Sequence, residues 1–280
     1  MGPRPRGRVA PPILRAVEAA FFDLDKTVIA RASMLAFGRP LHRAGYVSRW
    51  LLLRALYGQI VFRYLGADED RMEKMRTASL RIARGWHRDT VQSLVRETLT
   101  EVIEPIVFAE ALELLREHRD AGRRVVLSSS SPEEIVVPLA GYLGVDEAIS
   151  TRAAVDADGR YTGEVEFYAY GPGKAAAMHA VAERDGIDLS ESYAYSDSVT
   201  DIPMLETVGH PVAVNPDRDL RRVAEARGWE VRRFERPVAL RARVPAPPTG
   251  PTMAVAGTLM ALVTVGVASW WWMRRKPAPV

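Results

Sequence analysis

Four short clusters carry side chains whose types and spacing could do chemistry. Asp23-Leu24-Asp25-Lys26-Thr27 follows an apolar run and sets two carboxylates two residues apart. Alternate residues of an extended segment point the same way, so Asp23 and Asp25 share a face. Carboxylates that close repel each other unless a cation or a shared proton intervenes. The pair reads as part of a magnesium site or as an acid–base pair. Ser128-Ser129-Ser130-Ser131 follows a second apolar run. Hydroxyls and backbone N–H groups ahead of a helix make an anion pocket, or an ordinary helix cap. Gly171-Pro172-Gly173-Lys174 delivers a lysine to a helix start, where the dipole prefers an acid and an anion nearby would resolve the conflict. Its spacing is not that of a P-loop. Ser196-Asp197-Ser198-Val199-Thr200-Asp201-Ile202-Pro203 adds two carboxylates four apart. Magnesium takes hard oxygen ligands and few protein carboxylates, and Asp23, Asp197 and Asp201 suit it.

These clusters need elements to bring them together. Val17 to Phe22 reads as a buried strand ending in Asp23, and Arg124 to Leu127 as a second strand ending in the serines. Ala109 to Arg119 has amphipathic helical spacing with Gly122 as its stop. Ser131-Pro132-Glu133-Glu134 opens another helix. Ala148 to Thr151 reads as a short strand, and Val155 to Phe167 as a hairpin about Asp158-Gly159. A helix over Lys174 to Asp185 and strands at Ser192 to Tyr195, Val212 to Val214 and Glu230 to Phe234 complete the series. Strands alternating with helices predict an α/β fold with a doubly wound, mostly parallel sheet. Such sheets place their ligand at the carboxyl ends of the strands, where all four clusters fall.

Composition narrows the chemistry. The 280 residues include no cysteine, which excludes disulfides, thiolate metal sites and a cysteine nucleophile. Five histidines make a His-rich zinc site a poor reading, and a formal charge of +3 gives no reason to expect a nucleic-acid partner. Only Lys26, Lys74, Lys174 and Lys276 are lysines among 38 basic residues, so the other 34 are arginines.

The ends read differently from the middle. Residues 1–16 form a basic leader expected to be disordered. Arg15 and Glu18 interrupt any signal-peptide core, and Arg6 stands where a myristoylation motif needs Ser or Thr. Residues 17–240 form the enzyme-like domain, and 241–252 a Pro-rich linker. Met253 to Met273 is 21 residues without a charge, with Trp270, Trp271 and Trp272 at one end and Arg274, Arg275 and Lys276 beyond. That pattern predicts a C-terminal transmembrane helix followed by a basic tail, 274–280. The arginines between 221 and 243 favour the cytoplasmic face of the cell membrane for the domain, with a single-pass C-terminal anchor.

The order of the four motifs resembles the haloacid-dehalogenase-like (HAD) superfamily, and within it subfamily IB, the phosphoserine-phosphatase-like branch. The resemblance runs from about Ala19 to Phe234 and is strongest over the stretch from Tyr193 to Trp229. It implies a Rossmann-like core with a helical cap inserted at about 31–110. It implies a magnesium-dependent phosphomonoester hydrolase with Asp23 as nucleophile, forming an aspartyl-phosphate, and Asp25 as acid and base. Lys174 would neutralise charge. Thr27, Ser129, Ser130 and Thr200 would serve the substrate phosphate, with Ser128 an alternative to Ser129. Asp23, Asp25, Asp197 and Asp201 would hold Mg2+. The same scaffold admits a phosphotransferase or phosphomutase, or a non-catalytic membrane-tethered binding module. A P-type ATPase register on Asp25-Lys26-Thr27 is rejected, because Val28 and Ile29 replace the Gly and Thr it requires.

Phosphoserine phosphatases carry a Glu shortly after this motif to hold the substrate amino group. The equivalent position here is Ala32, beside Arg31, which does not support phosphoserine as substrate. Arg49 to Arg63 is unusually apolar for a cap, and reads as cap core or as an interfacial helix. With the C-terminal anchor it raises the expectation of a lipid-borne phosphomonoester alongside a small soluble one.

Overall fold

The computed structural model describes residues 17–53 and 81–236. All of them lie in one compact unit of the chain. The scaffold is a seven-stranded sheet in the order β4-β3-β2-β1-β5-β6-β7. Its strands are β1 (Ala19–Asp23), β2 (Arg124–Pro132), β3 (Glu147–Val155), β4 (Tyr161–Phe167), β5 (Tyr193–Ser196), β6 (His210–Val214) and β7 (Glu230–Arg232). Every neighbouring pair is parallel except β3 and β4, which form the antiparallel hairpin.

The first strand is apolar up to Asp23 and buried on both faces, as a parallel strand covered by helices must be. Period-two alternation splits its side chains. Ala20 and Phe22 enter a core shared with helices α3 (Arg88–Ile103), α4 (Ala109–Asp120) and α5 (Glu133–Leu143). Ala19 and Phe21 enter a second core with α6 (Pro172–Asp185), α7 (Ile202–Leu205) and α8 (Arg218–Arg227). Phe22 stacks on Tyr195 with ring centroids 4.4 Å apart, fastening β1 to β5 within the first core.

Strand β1 is flanked by β2 on one side and β5 on the other. The chain winds outward in both directions from it, so its carboxyl end is a topological switch point, where α/β sheets open a crevice. Asp23 occupies that end. The described part of the insertion between β1 and α4 contains the short helices α1 (Ser33–Ala36) and α2 (Gly38–Arg43) as well as α3.

The serine run behaves differently from its sequence reading. Strand β2 continues through all four serines to Pro132, and α5 starts only at Glu133. Strand β3 likewise runs as one nine-residue element where a short strand and a hairpin arm were expected. One part of the expected fold class is corrected. Among the described residues no helix is long and apolar enough to cross a membrane, so the transmembrane helix is not part of the fold found here. The segment that prompted it, 253–273, lies outside the described residues, as do the leader, the linker and most of the apolar stretch 49–63.

Leu115 of α4 is fully buried in the first core. Leu115→Ala is expected to cost about 2–5 kcal/mol of unfolding free energy, because transfer and cavity terms add. Urea denaturation of both proteins measures it.

Candidate active site

The loop after β1 is a tight turn. Its Leu24 carbonyl accepts from the backbone N–H groups of Thr27, Val28 and Ile29, at 3.3, 2.9 and 3.0 Å. The turn closes because Lys26 takes a left-handed conformation, φ 65°, which is unusual for a residue with a Cβ. Asp23 ends the strand below the turn, and Asp25 stands within it.

Lys174 comes to Asp23 through glycine geometry. Gly171 has φ 50°, and a Cβ on Gly173 would sit 2.3 Å from the Tyr168 carbonyl oxygen. Any larger residue at 173 would push the helix start away. Pro172 then opens α6, and Lys174 lies in its first turn with only 2% exposure. Its ammonium donates to Asp23 Oδ1 at 2.6 Å and to Asp201 Oδ2 at 2.8 Å. Ser196, at the end of β5, donates its hydroxyl to the same Asp201 oxygen at 2.6 Å. The anion that the helix start lacked is therefore a pair of carboxylates from two other strand ends.

Asp25 is held separately. The Ser33 backbone N–H donates to its Oδ1 at 2.8 Å, and the Ser131 hydroxyl to its Oδ2 at 3.3 Å. Ser33 Oγ and Ser131 Oγ are 2.7 Å apart. Asp197 is buried, and the Lys26 ammonium approaches its Oδ2 at 3.4 Å. The backbone N–H of Asp217 donates to the Asp197 carbonyl at 2.8 Å, tying the β5 loop to the start of α8.

The electrostatics are unbalanced. Burial pushes the Asp23 carboxyl well above its usual range; Lys174 opposes this, while Asp201, Asp197 and Asp25 add to it. Burial also raises Asp25, against the hydrogen bonds from Ser33 and Ser131. Asp197 rises to about 6, mainly through burial, with Lys26 opposing. Burial would lower Lys174, but Asp201 and Asp23 outweigh it and hold the ammonium charged. Four carboxylates face two ammonium groups, one of them largely exposed.

The structure thus gathers Asp23, Lys174 and Asp201 into direct contact, with Asp25 and Asp197 close enough to raise the Asp23 pKa. Other expected residues fall differently. Ser129 is buried, and its hydroxyl accepts from the Ser131 N–H at 3.2 Å. Ser130 is exposed, and its carbonyl accepts from the Thr151 hydroxyl. The Thr200 hydroxyl lies 3.0 Å from Ser198 Oγ. Ser128 is the β2 partner of Asp23 in the sheet register, and its buried hydroxyl has no partner. The Thr27 hydroxyl is likewise buried without one.

The four aspartates expected to hold Mg2+ differ in their bonding. Among the described residues no three His, Cys, Asp or Glu side chains group closely enough to hold a metal ion. The reason is visible in the bonding. Asp201 is committed to Lys174 and Ser196, and Asp25 to Ser33 and Ser131. What remains is Asp23, whose Oδ2 faces no protein donor among the described residues, and Asp197, held by one exposed lysine. Two hard carboxylates and an excess of two negative charges suit a divalent cation that completes its shell with backbone, water or phosphate oxygens. Ser33, Ser131 and Ser196 were not singled out in the sequence for these contacts. Ser131 stood within the serine run and Ser196 within the fourth cluster, but Ser33 gave no signal of its own.

A family model for haloacid dehalogenase-like hydrolases matches residues 20–206. The chain is 49% identical over 265 residues to the inhibition of morphological differentiation protein of Streptomyces azureus, covering 94% of this chain and 95% of that one. It is 47% identical over 273 residues to a probable phosphatase of Mycobacterium tuberculosis (strain H37Rv), covering 98% and 94%. A solved phospho-aspartyl intermediate analogue of phosphoserine phosphatase has the same fold, with a TM-score of 0.58 over 79% of this chain and 95% of that one, at 18% identity.

The raised Asp197 pKa makes a signed prediction. The metal-free folded protein keeps a proton there that the unfolded chain, with a value of 3.8, has released. Its stability therefore falls as pH rises from about 3.8 to about 6. Asp197→Asn removes the penalty. In EDTA it is expected to be about 1–3 kcal/mol more stable than wild type at pH 7.5, with the gap closing by pH 4. Urea melts at the two pH values check this.

Proposed function

The chain belongs to the haloacid dehalogenase-like hydrolase family, and from that premise we propose that it is a magnesium-dependent phosphomonoester hydrolase working through an aspartyl-phosphate on Asp23. One observation carries the reading. A buried carboxylate at a strand end has one oxygen fixed by a buried ammonium and the other free of protein donors among the described residues. Such a group is oriented to attack phosphorus rather than to stabilise the fold.

Phosphoryl transfer depends on alignment and charge neutralisation more than on elaborate covalent chemistry. Asp23 Oδ2 attacks the phosphorus while Lys174 holds Oδ1 and offsets charge on the transferring oxygens. Asp25 gives its proton to the departing alkoxide. Its raised pKa keeps that proton available, and Ser33 and Ser131 fix the carboxyl in place. The same group then takes a proton from the water that attacks the aspartyl-phosphate, releasing inorganic phosphate and restoring Asp23. The unpartnered hydroxyls of Thr27 and Ser128, with Ser129 beside them, supply polar groups for the phosphoryl oxygens. Asp23, Asp197 and the Asp25 backbone carbonyl would hold Mg2+, which when bound supplies positive charge at the phosphoryl group.

The substrate is a small phosphomonoester. Ala32 is the N-cap of the first cap helix, whose first turn carries no acid to receive an amino group, which does not favour phosphoserine as the substrate.

A phosphate-release screen over many phosphomonoesters with magnesium tests the proposal. Wild type is expected to release phosphate, with EDTA abolishing release. Asp23→Asn is expected to fall to background and Asp25→Asn to lose about 10²–10⁴-fold in kcat. Equal activity in wild type and Asp23→Asn would remove the mechanism.

A further inference from the structure

We infer that Lys26 is the resident counter-cation of Asp197, so that a divalent ion binds there by exchange with the Lys26 ammonium. The inference rests on the magnesium reading above and extends it to a residue that the reaction itself does not use.

The two lysines of the site are held in opposite ways. Lys174 makes contacts of 2.6 and 2.8 Å to two carboxylates, and its side chain is 3% exposed. Lys26 makes one contact of 3.4 Å, and its side chain is 54% exposed. The first is a fixed part of the interior. The second is a long, solvent-facing contact on a carboxylate that is itself only 8% exposed. An exposed partner of that kind exchanges at little cost.

The backbone aims Lys26 at this position against its own preference. Lys26 and Asn215 are the only non-glycine residues with positive φ among the described residues. Glycine would adopt the turn freely. A lysine is instead accommodated there, and its side chain lies over Asp197.

The choice of cation also fits. This chain uses arginine at 34 of its 38 basic positions, yet among the described residues both cations touching the site carboxylates are lysines. A guanidinium would clamp a carboxylate with two fixed bonds. An ammonium is a compact, strongly hydrated point charge on a flexible stem, and leaves more readily. A divalent ion arriving at Asp197 meets like charge in Lys26, and must move it aside before it can bind.

Calorimetric titration of MgCl2 into EDTA-stripped, full-length protein tests this without any turnover. Lys26→Met keeps the backbone strain and removes the charge, while Lys26→Gly removes both. Both are expected to bind Mg2+ about tenfold more tightly than wild type, in the usual range for coupled sites. Equal or weaker binding in both variants, with wild type binding and Asp197→Asn not binding, overturns the exchange and leaves the magnesium site standing. No binding in wild type, or unchanged binding in Asp197→Asn, overturns both.

Discussion

Burying Asp23 is the constraint on which the rest of the structure turns. The strand beneath it is sealed on both faces, so the carboxylate cannot be left to solvent. Removing an ion from water costs several kcal/mol even after relaxation, and only a close counter-charge offsets it. Lys174 provides that charge from a helix 151 residues away in sequence. The glycines at 171 and 173 allow the approach, and Asp201 and Ser196 fix the ammonium from the other side. One ammonium shared by two carboxylates thereby locks the end of β1, the loop after β5 and the start of α6 into one arrangement.

That arrangement is not tuned for stability. One buried ammonium shared by two carboxylates, with Asp25 and Asp197 close by, leaves negative charge uncompensated. A chain selected for stability alone would replace one of the acids by an amide. Retaining all four leaves the folded protein arranged to receive positive charge. The hydrophobic cores on the two faces carry the cost, since both are made of well-buried aliphatic and aromatic side chains.

Much of this was legible in the sequence for an identifiable reason. Asp23, Lys174, Asp197 and Asp201 each follow a strand or open a helix, and a parallel α/β sheet gathers such positions at one edge whatever their separation along the chain. What could not be read was which carboxylate bonds to which partner. The spacing did not reveal that Asp201 accepts from both Ser196 and Lys174. The serine run was read as an anion pocket or helix cap beyond the strand, yet it extends β2, because Ser129 and Pro132 pair in the ladder with β3. The membrane helix rested on hydropathy, the Trp270–Trp272 cluster and the flanking basic residues, none of which involves a tertiary contact. Ser33 had no motif at all; its role arises from its backbone N–H, a group that every non-proline residue carries.

Ser33 also links the chemistry to the cap. It is the first residue of α1, and its N–H holds one oxygen of Asp25 while its hydroxyl meets Ser131 on β2. The Asp25 carboxyl is therefore bracketed by the insertion on one side and the core sheet on the other. Shifting α1 by the length of one hydrogen bond would release Oδ1 and leave Ser131 alone at Oδ2. Hydrogen bonds to a carboxylate lower its pKa, so losing one raises it further. The position of the insertion and the proton affinity of Asp25 are thus coupled through a single backbone amide. The seating of the insertion therefore sets both the orientation and the acidity of the Asp25 carboxyl.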